Sequence, residues 1–478
     1  MQRSYNTIVS QLWNPRSPHD IGPVQPGPGS TPRPAMKTAC VYLALLATLG
    51  TALPKDSRVS SQHDNLVEFE TGAVSRAMSE FSQAIYLDLA EANQGNFVFS
   101  PLSLHSALTM LYLGTTTGSQ TEHQLKLALG GLQNKEHIKA GFKKIIDTYK
   151  PELNFLYGNN FWVQEGIEIK ESFKKMIKTN LNSGIDSINF SSPNSTDVVN
   201  DWVSNMTNGK IDKLVESFSG NTALFLANAL YFKEDWKVPF EDTTFTEEPL
   251  FGEFLTGKGK VDVPMIQQIL TTPEVTFGQI KVYGSEVVNV VSIPYKNDLF
   301  EMQIFTPEPS SSKSGFEQLS LLEYKMNETQ TRDVTSEQDS YFNLFSHTRN
   351  TTQYDVIYDE VFLKMPTFQV SSELDVVEPL RKLGAERVFT TGAELGELAS
   401  GSAPFSVSKI THKAVVEVTK TGTEGAAATG AEIVLLSASF SERKDVIVDR
   451  PFIFVVQDKR NNIPVLVGRV MDPSIKTP

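Results

Sequence analysis

The residues of this chain best placed for a chemical event resemble a substrate more than a catalyst. Gly422-Thr423-Glu424-Gly425-Ala426-Ala427-Ala428-Thr429-Gly430-Ala431 is small throughout except for one glutamate, and it has no proline. Ile433-Val434-Leu435-Leu436-Ser437 follows as an apolar patch, and the chain turns charged at Glu442-Arg443-Lys444-Asp445. A run so poor in bulk cannot anchor a core. It can enter a sheet interior where larger side chains would clash. An exposed leucine on an extended loop is what the pocket of a chymotrypsin-like protease accepts. The segment alone leaves two readings open. It is either a bait for proteolysis that can become a strand, or a linker leading into an ordinary buried strand.

Other chemistry is sparse. Gly252-Glu253-Phe254-Leu255-Thr256-Gly257-Lys258-Gly259 nearly spells a phosphate-binding loop. Gly259 stands where a magnesium-binding Ser or Thr belongs, and no strand leads cleanly into the run. There is no H-E-x-x-H, no G-x-S-x-G and no cluster of metal ligands. The histidines are scattered. His412 opens the strand-like run His412-Lys413-Ala414-Val415-Val416-Glu417-Val418 among apolar neighbours, so it reads as a hydrogen-bonded core residue rather than a base. The expectation is a protein that is not an enzyme and needs no metal or other cofactor.

The elements around the run at 422–437 are legible from periodicity. Val74, Met78, Phe81, Ile85 and Leu89 share a helical face. Ser100-Pro101 predicts a helix start, a cap followed by a first-turn proline, and Gly114 predicts its end. Phe142, Ile145, Ile146 and Tyr149 predict an amphipathic helix with Lys139, Lys143 and Lys144 outside. That lysine face reads first as solvated surface, and only weakly as a site for a polyanion such as heparin. Strands are expected at 154–163, 223–232, 299–306, 360–365, 411–418, 452–456 and 465–471. Helices dominate the first half and strands the second, which predicts an α+β fold. No repeat or linker interrupts 60–478, so one domain is expected there. Residues 308–356, rich in Ser, Gln, Asn and Thr, read as a flexible surface insertion.

The net charge of −13 argues against nucleic acid as a partner and suits a soluble monomer. Residues 1–35 are rich in proline, glycine and serine and read as a disordered extension. Met36-Lys37-Thr38, an apolar run from Ala39 to Leu49, and Gly50-Thr51-Ala52 form the three parts of a secretory signal over 36–52. The position of this signal leaves two readings: Met36 is the true start, or residues 1–35 come from an upstream extension or an alternative transcript. The apolar run is too short for a membrane anchor. Cleavage after Ala52 removes Cys40, the single cysteine. Asn189, Asn194, Asn205, Asn327 and Asn350 each open a glycosylation triplet, in keeping with a secreted, extracellular glycoprotein.

Several motifs in order resemble the serpin family of serine protease inhibitors. Asn96-Phe97-Val98-Phe99-Ser100-Pro101-Leu102-Ser103 resembles the family's buried-helix start. Asn228-Ala229-Leu230-Tyr231-Phe232-Lys233-Glu234-Asp235-Trp236 resembles its central strand and following tryptophan. Asp201-Trp202-Val203 with Thr207-Asn208-Gly209-Lys210-Ile211, then His412-Lys413-Ala414, Gly422-Thr423-Glu424, Arg450-Pro451-Phe452 and Gly468-Arg469-Val470 continue the resemblance. It spans about 65–474.

The resemblance implies the serpin fold: three β-sheets, eight or nine helices and an exposed reactive-centre loop. It implies suicide trapping: cleavage at Leu436-Ser437, capture of the acyl-enzyme, and insertion of 423–435 into the main sheet. Gly422, Thr423, Glu424, Gly425, Ala426, Ala427 and Ala428 would be the hinge. Ser100, Ser103, Asn228 and His412 would form a polar shutter, and Trp236 would cap the breach where insertion begins. The loop resembles that of antichymotrypsin-like inhibitory members. The implied partner is a chymotrypsin-like serine protease, with elastase-like enzymes next. The alternative is a non-inhibitory carrier or storage protein of the same fold. Three positions depart from the family pattern. Gly425 stands where inhibitory members carry alanine, Lys420 where most carry glutamate, and 308–356 is longer than usual.

Overall fold

The computed structural model describes residues 56–475 except 133, 150–154, 241–249, 273, 284, 311–312, 332–343, 345–357, 402–404 and 424–442. The extension at 1–35, the signal at 36–52, Asn350, most of the hinge and Leu436-Ser437 therefore lie outside the described residues. Ser60–Pro478 forms one compact unit.

Three large sheets carry the fold, with a two-stranded ribbon beside them. The main sheet runs Gly184–Ile188, Phe155–Gln164, Leu224–Phe232, Val407–Val418 and Phe368–Asp375, with the short strands Gly422–Thr423 and Glu234–Asp235 at one end. A second sheet orders Phe97–Phe99, Ile463–Val470, Phe452–Asp458, Phe300–Pro307, Val287–Pro294 and Thr276–Lys281. The third orders Arg443–Ile447, Glu360–Pro366, Gly259–Thr271 and Phe251–Thr256. Eight α-helices and one 3-10 turn accompany them among the described residues. The α+β expectation and the strand positions hold to within a few residues at their ends.

The helix Pro101–Gly114 is buried at every position. It is apolar nearly all round, as a helix enclosed by sheets must be. Ser100 caps it as its sequence predicts, its Oγ accepting from the Ser103 N–H at 3.1 Å. The helix Asp56–Ala92 buries Val74, Met78, Phe81, Ile85 and Leu89. The phosphate-loop resemblance dissolves into a hairpin. Thr256 pairs with Gly259 across a two-residue turn, and no helix follows.

Within the flexible insertion expected at 308–356, one part is regular structure, and most of 332–356 lies outside the described residues. Phe300–Pro307 closes just before it, and Gly315–Thr331 is a helix. Leu319, Leu322 and Met326 are buried at helical spacing, and Leu344 is buried further on. Most of the Ser, Gln, Asn and Thr that suggest a loop fall at 308–314 and 332–356, on either side of this helix. Its Glu323 accepts from Arg469 Nη1 at 2.8 Å and from the Tyr86 hydroxyl at 2.9 Å. Arg469 is nearly sealed from solvent and lies over the Phe97 ring. Glu323→Ala should therefore strand a buried guanidinium and cost about 3–5 kcal/mol in urea unfolding. A loss under about 1 kcal/mol would remove this helix from the cooperative core.

Candidate functional site

Two parallel strands meet at the middle of the main sheet. Leu224–Phe232 and Val407–Val418 pair from Val407 beside Leu224 up to Ala414 beside Leu230. Asn228 stands next to His412 in this ladder, and Asn159 stands next to Asn228 on the other side. Neighbouring residues in register point to the same face. Asn159, Asn228 and His412 therefore form a polar row across three strands, aimed at the Pro101–Gly114 helix.

The helix answers with its own polar groups. The Ser100 N–H donates to His412 Nε2 at 2.9 Å, and Ser100 Oγ donates to the Val465 carbonyl at 2.7 Å. Ser103 Oγ donates to Asn159 Oδ1 at 3.5 Å, and Asn159 Nδ2 donates to Ser106 Oγ at 2.7 Å. Because Nε2 accepts from an amide, the His412 proton must sit on Nδ1, which bonds Asn228 Oδ1. Burial pulls the His412 pKa down to about 3, so the imidazole is neutral. Both ring nitrogens are committed and the ring is sealed, which leaves His412 no role as a base. Asn228 Nδ2 is buried without a partner. The structure brings all four predicted shutter residues together.

The opposite face of the seam is clasped differently. Lys413 Nζ donates to the Lys213 carbonyl at 3.2 Å, in the segment that leads into Leu224–Phe232. Asn200 of the helix Ser195–Met206 fixes that segment by accepting from the Leu214 and Val215 N–H groups and donating to the Val215 carbonyl. Residues 412 and 413 thus hold the seam from its two sides, an imidazole beneath and an ammonium above.

The ladder between the two strands stops at Ala414 and Leu230, and Thr423 occupies the space beyond. It pairs with Val418 on one side and Glu234 on the other and is wholly buried. The Tyr295 hydroxyl lies 2.6 Å from Thr423 Oγ1. Trp236 stacks on Tyr295 at 4.6 Å and 12°, and its Nε1 donates to the Thr419 carbonyl at 3.0 Å. A Cβ on Gly422 would fall 2.2 Å from the Glu234 carbonyl oxygen, so only glycine allows this approach. Glu424, Gly425, Ala426, Ala427, Ala428, Leu436 and Ser437 lie outside the described residues.

Asn159, Ser106, Lys413 and Tyr295 are absent from the sequence-derived site. Asn159 alone leaves a trace, as one of two adjacent asparagines inside a strand rich in aromatic residues. Asn189, Asn194, Asn205 and Asn327 are exposed. Lys139 and Lys143 of the helix Lys135–Asp147 are paired with Glu136 at 2.6 Å and Asp147 at 2.8 Å, as a solvated face requires.

The family model described as Serpin (serine protease inhibitor) matches residues 76–473. The chain belongs to the serpin family. It is 29% identical over 419 residues to neuroserpin of Gallus gallus, covering 85% of this chain and 93% of that protein. Among solved structures, serpin48 of Tenebrio molitor superposes with a TM-score of 0.68 at 24% identity, covering 84% of this serpin and 98% of that chain. Human thyroxine-binding globulin complexed with thyroxine gives 0.67 at 22% identity, over 84% and 99%. At these identities the two structures establish the fold alone.

The buried histidine makes this serpin's stability depend on acid. The unfolded chain takes up the proton near pH 6.5, whereas folded His412 resists it down to about 3. Stability is therefore complete above about pH 6.5 and falls as pH drops, by up to about 1.4 kcal/mol per pH unit for this one group. His105, held to about 4 by burial, adds to the fall in the same direction. Urea unfolding of His412→Asn between about pH 7 and 4 should show a shallower slope than the parent. An identical slope would mean that His412 is protonated or solvated in the fold.

Proposed function

We propose that this serpin is a secreted inhibitor of chymotrypsin-like serine proteases that traps its target by inserting its cleaved loop. One observation carries the reading: Gly422 and Thr423 already form the first rungs of a strand in the gap above the seam. Continuing the Val418–Thr423 ladder by twos sets Gly425 beside Val416, Ala427 beside Ala414, Thr429 beside His412 and Ala431 beside Ile410. Continuing the Thr423–Glu234 ladder sets the same four residues beside Phe232, Leu230, Asn228 and Leu226. Ala414 with Leu230, His412 with Asn228, and Ile410 with Leu226 are neighbours already. The two extrapolations therefore agree on one register, and every residue facing the core in it is small.

The energetics favour the change once the loop is free. The inserting strand runs antiparallel to both flanking strands, so one parallel ladder gives way to two antiparallel ones, which are the stronger kind. Thr429 would deliver a hydroxyl to the row that contains His412 and the unpartnered Asn228 Nδ2. The loop stays outside while the bond at Leu436-Ser437 is intact, because its far end continues into Arg443–Ile447 of the third sheet. Attack by a serine protease at Leu436 releases that tether, and insertion carries the acyl-enzyme away from the conditions it needs for hydrolysis. Leucine at 436 favours chymotrypsin-like enzymes, with elastase-like ones next. The small hinge run disfavours the carrier reading.

Secretion rests on the signal at 36–52. The exposed Asn189, Asn194, Asn205 and Asn327 are the sites expected to bear glycans.

Mixing the purified protein with chymotrypsin should give a band near the summed masses that survives a denaturing gel. A clipped serpin beside fully active protease would refute trapping. Thr423→Arg buries a charge where the strand begins, between Val418 and Glu234. It should turn inhibition into simple cleavage, and undiminished complex formation by that variant would exclude insertion through this gap.

A further inference from the structure

We propose that Met206 is a modification site: its thioether, oxidised by a peroxide, unseats the end of the helix Ser195–Met206 from the main sheet. Of the methionines among the described residues, all but Met176 and Met206 are buried. Met176 is half-buried on the helix Glu171–Leu181. Met206 is half-buried too, but its position under the helix end is a special one.

Val199 and Val203 are buried on the inner side of the Ser195–Met206 helix, and Met206 completes their stripe at i, i+4 and i+7. Beneath it the registers align Gly158, Ala229 and Lys413 in one row of the sheet's outer face. A Cβ on Gly158 would fall 2.3 Å from Met206 Cε and 3.3 Å from its Sδ. The terminal methyl thus fills the place of the side chain that Gly158 lacks, and the sulfur rests against the strand. Phe225, Ala227 and Ala229 belong to the apolar cluster on which Met206 packs.

The chemistry needs only a peroxide. Sδ attacks one peroxide oxygen, the O–O bond breaks, an S–O bond forms and water leaves; the sulfur gives up two electrons and the peroxide accepts them. The new oxygen either brings a polar group into the apolar cluster or turns the side chain out of its slot, and both cost the helix its last anchor. What loosens is the outer closure of the seam. Thr207, the next residue, donates to the Val203 carbonyl at 2.8 Å and accepts from the Ile211 N–H at 3.1 Å. Asn200 of the same helix accepts from the Leu214 and Val215 N–H groups, and the segment they belong to offers the Lys213 carbonyl to Lys413. The site works whether or not the loop traps a protease.

The test treats the full-length protein with dilute hydrogen peroxide, beside Met176→Leu and Met206→Leu. Leucine is close to methionine in volume and forms no sulfoxide. Peptide mass spectrometry should find the added oxygen on Met176 and Met206 ahead of the buried methionines. Oxidation should lower the melting temperature of the parent and of Met176→Leu by about 2–4 °C. It should also speed hydrogen exchange at the Ile211, Leu214 and Val215 amides about tenfold. Met206→Leu should show neither change, and methionine sulfoxide reductase should restore the parent. An equal loss of stability in oxidised Met206→Leu overturns the proposal, as does a parent that keeps its melting temperature with Met206 oxidised. If Met206→Leu does not fold, Gly158→Ala decides. Its Cβ displaces the methyl from the slot, so Met206 should oxidise about threefold faster than in the parent, and an unchanged rate overturns the proposal.

Discussion

The parallel ladder between Leu224–Phe232 and Val407–Val418 is the contact on which the rest of the site depends. It joins two strands that lie far apart in sequence, and it stops short of the top of the sheet. At the middle of its inner face, between the apolar pairs Ile410–Leu226 and Ala414–Leu230, it is held by a hydrogen bond between the single side chains of His412 and Asn228. Such bonds hold register firmly, because a buried polar group that loses its partner costs more than the bond contributes. They also exchange partners readily when a new donor or acceptor arrives. A seam of interlocked leucines would resist a new strand by volume alone.

The helix Pro101–Gly114 turns that local arrangement into a property of the whole domain. Ser100 binds His412 of the main sheet through its amide and Val465 of the second sheet through its hydroxyl, while capping its own helix. Movement at the seam is therefore felt by both sheets. On the outer face, Lys413 draws the covering segment across the same line, and the aromatic pair Trp236 and Tyr295 closes the upper end. The site is a boundary with three separate closures, and each one uses residues from distant parts of the chain.

Much of this is legible in the sequence, for identifiable reasons. Ser100-Pro101 and Gly114 mark their helix because capping is a local interaction read within four residues. The strand around Asn228 is legible because its apolar and aromatic character is continuous. The four shutter residues come from resemblance, since nothing local to His412 says which strand will lie beside it. Asn159 and Lys413 escape the sequence for the same reason, their roles being set by register between strands. The helix Gly315–Thr331 escapes it because the polar runs at 308–314 and 332–356 outweigh the spacing of Leu319, Leu322 and Met326. Composition averages over a window, and a helix set between polar runs is where that average misleads.

The separation of the two seam strands has a consequence for how the protein is made. Leu224–Phe232 leaves the ribosome about 175 residues before Val407 does, which at ordinary elongation rates is an interval of roughly ten to thirty-five seconds. Throughout that time the strand has no native neighbour on the side His412 will occupy, and its amides and carbonyls there form an open template for another nascent chain. Synthesis on crowded polysomes therefore places a premium on holding that edge apart until its distant mate is translated.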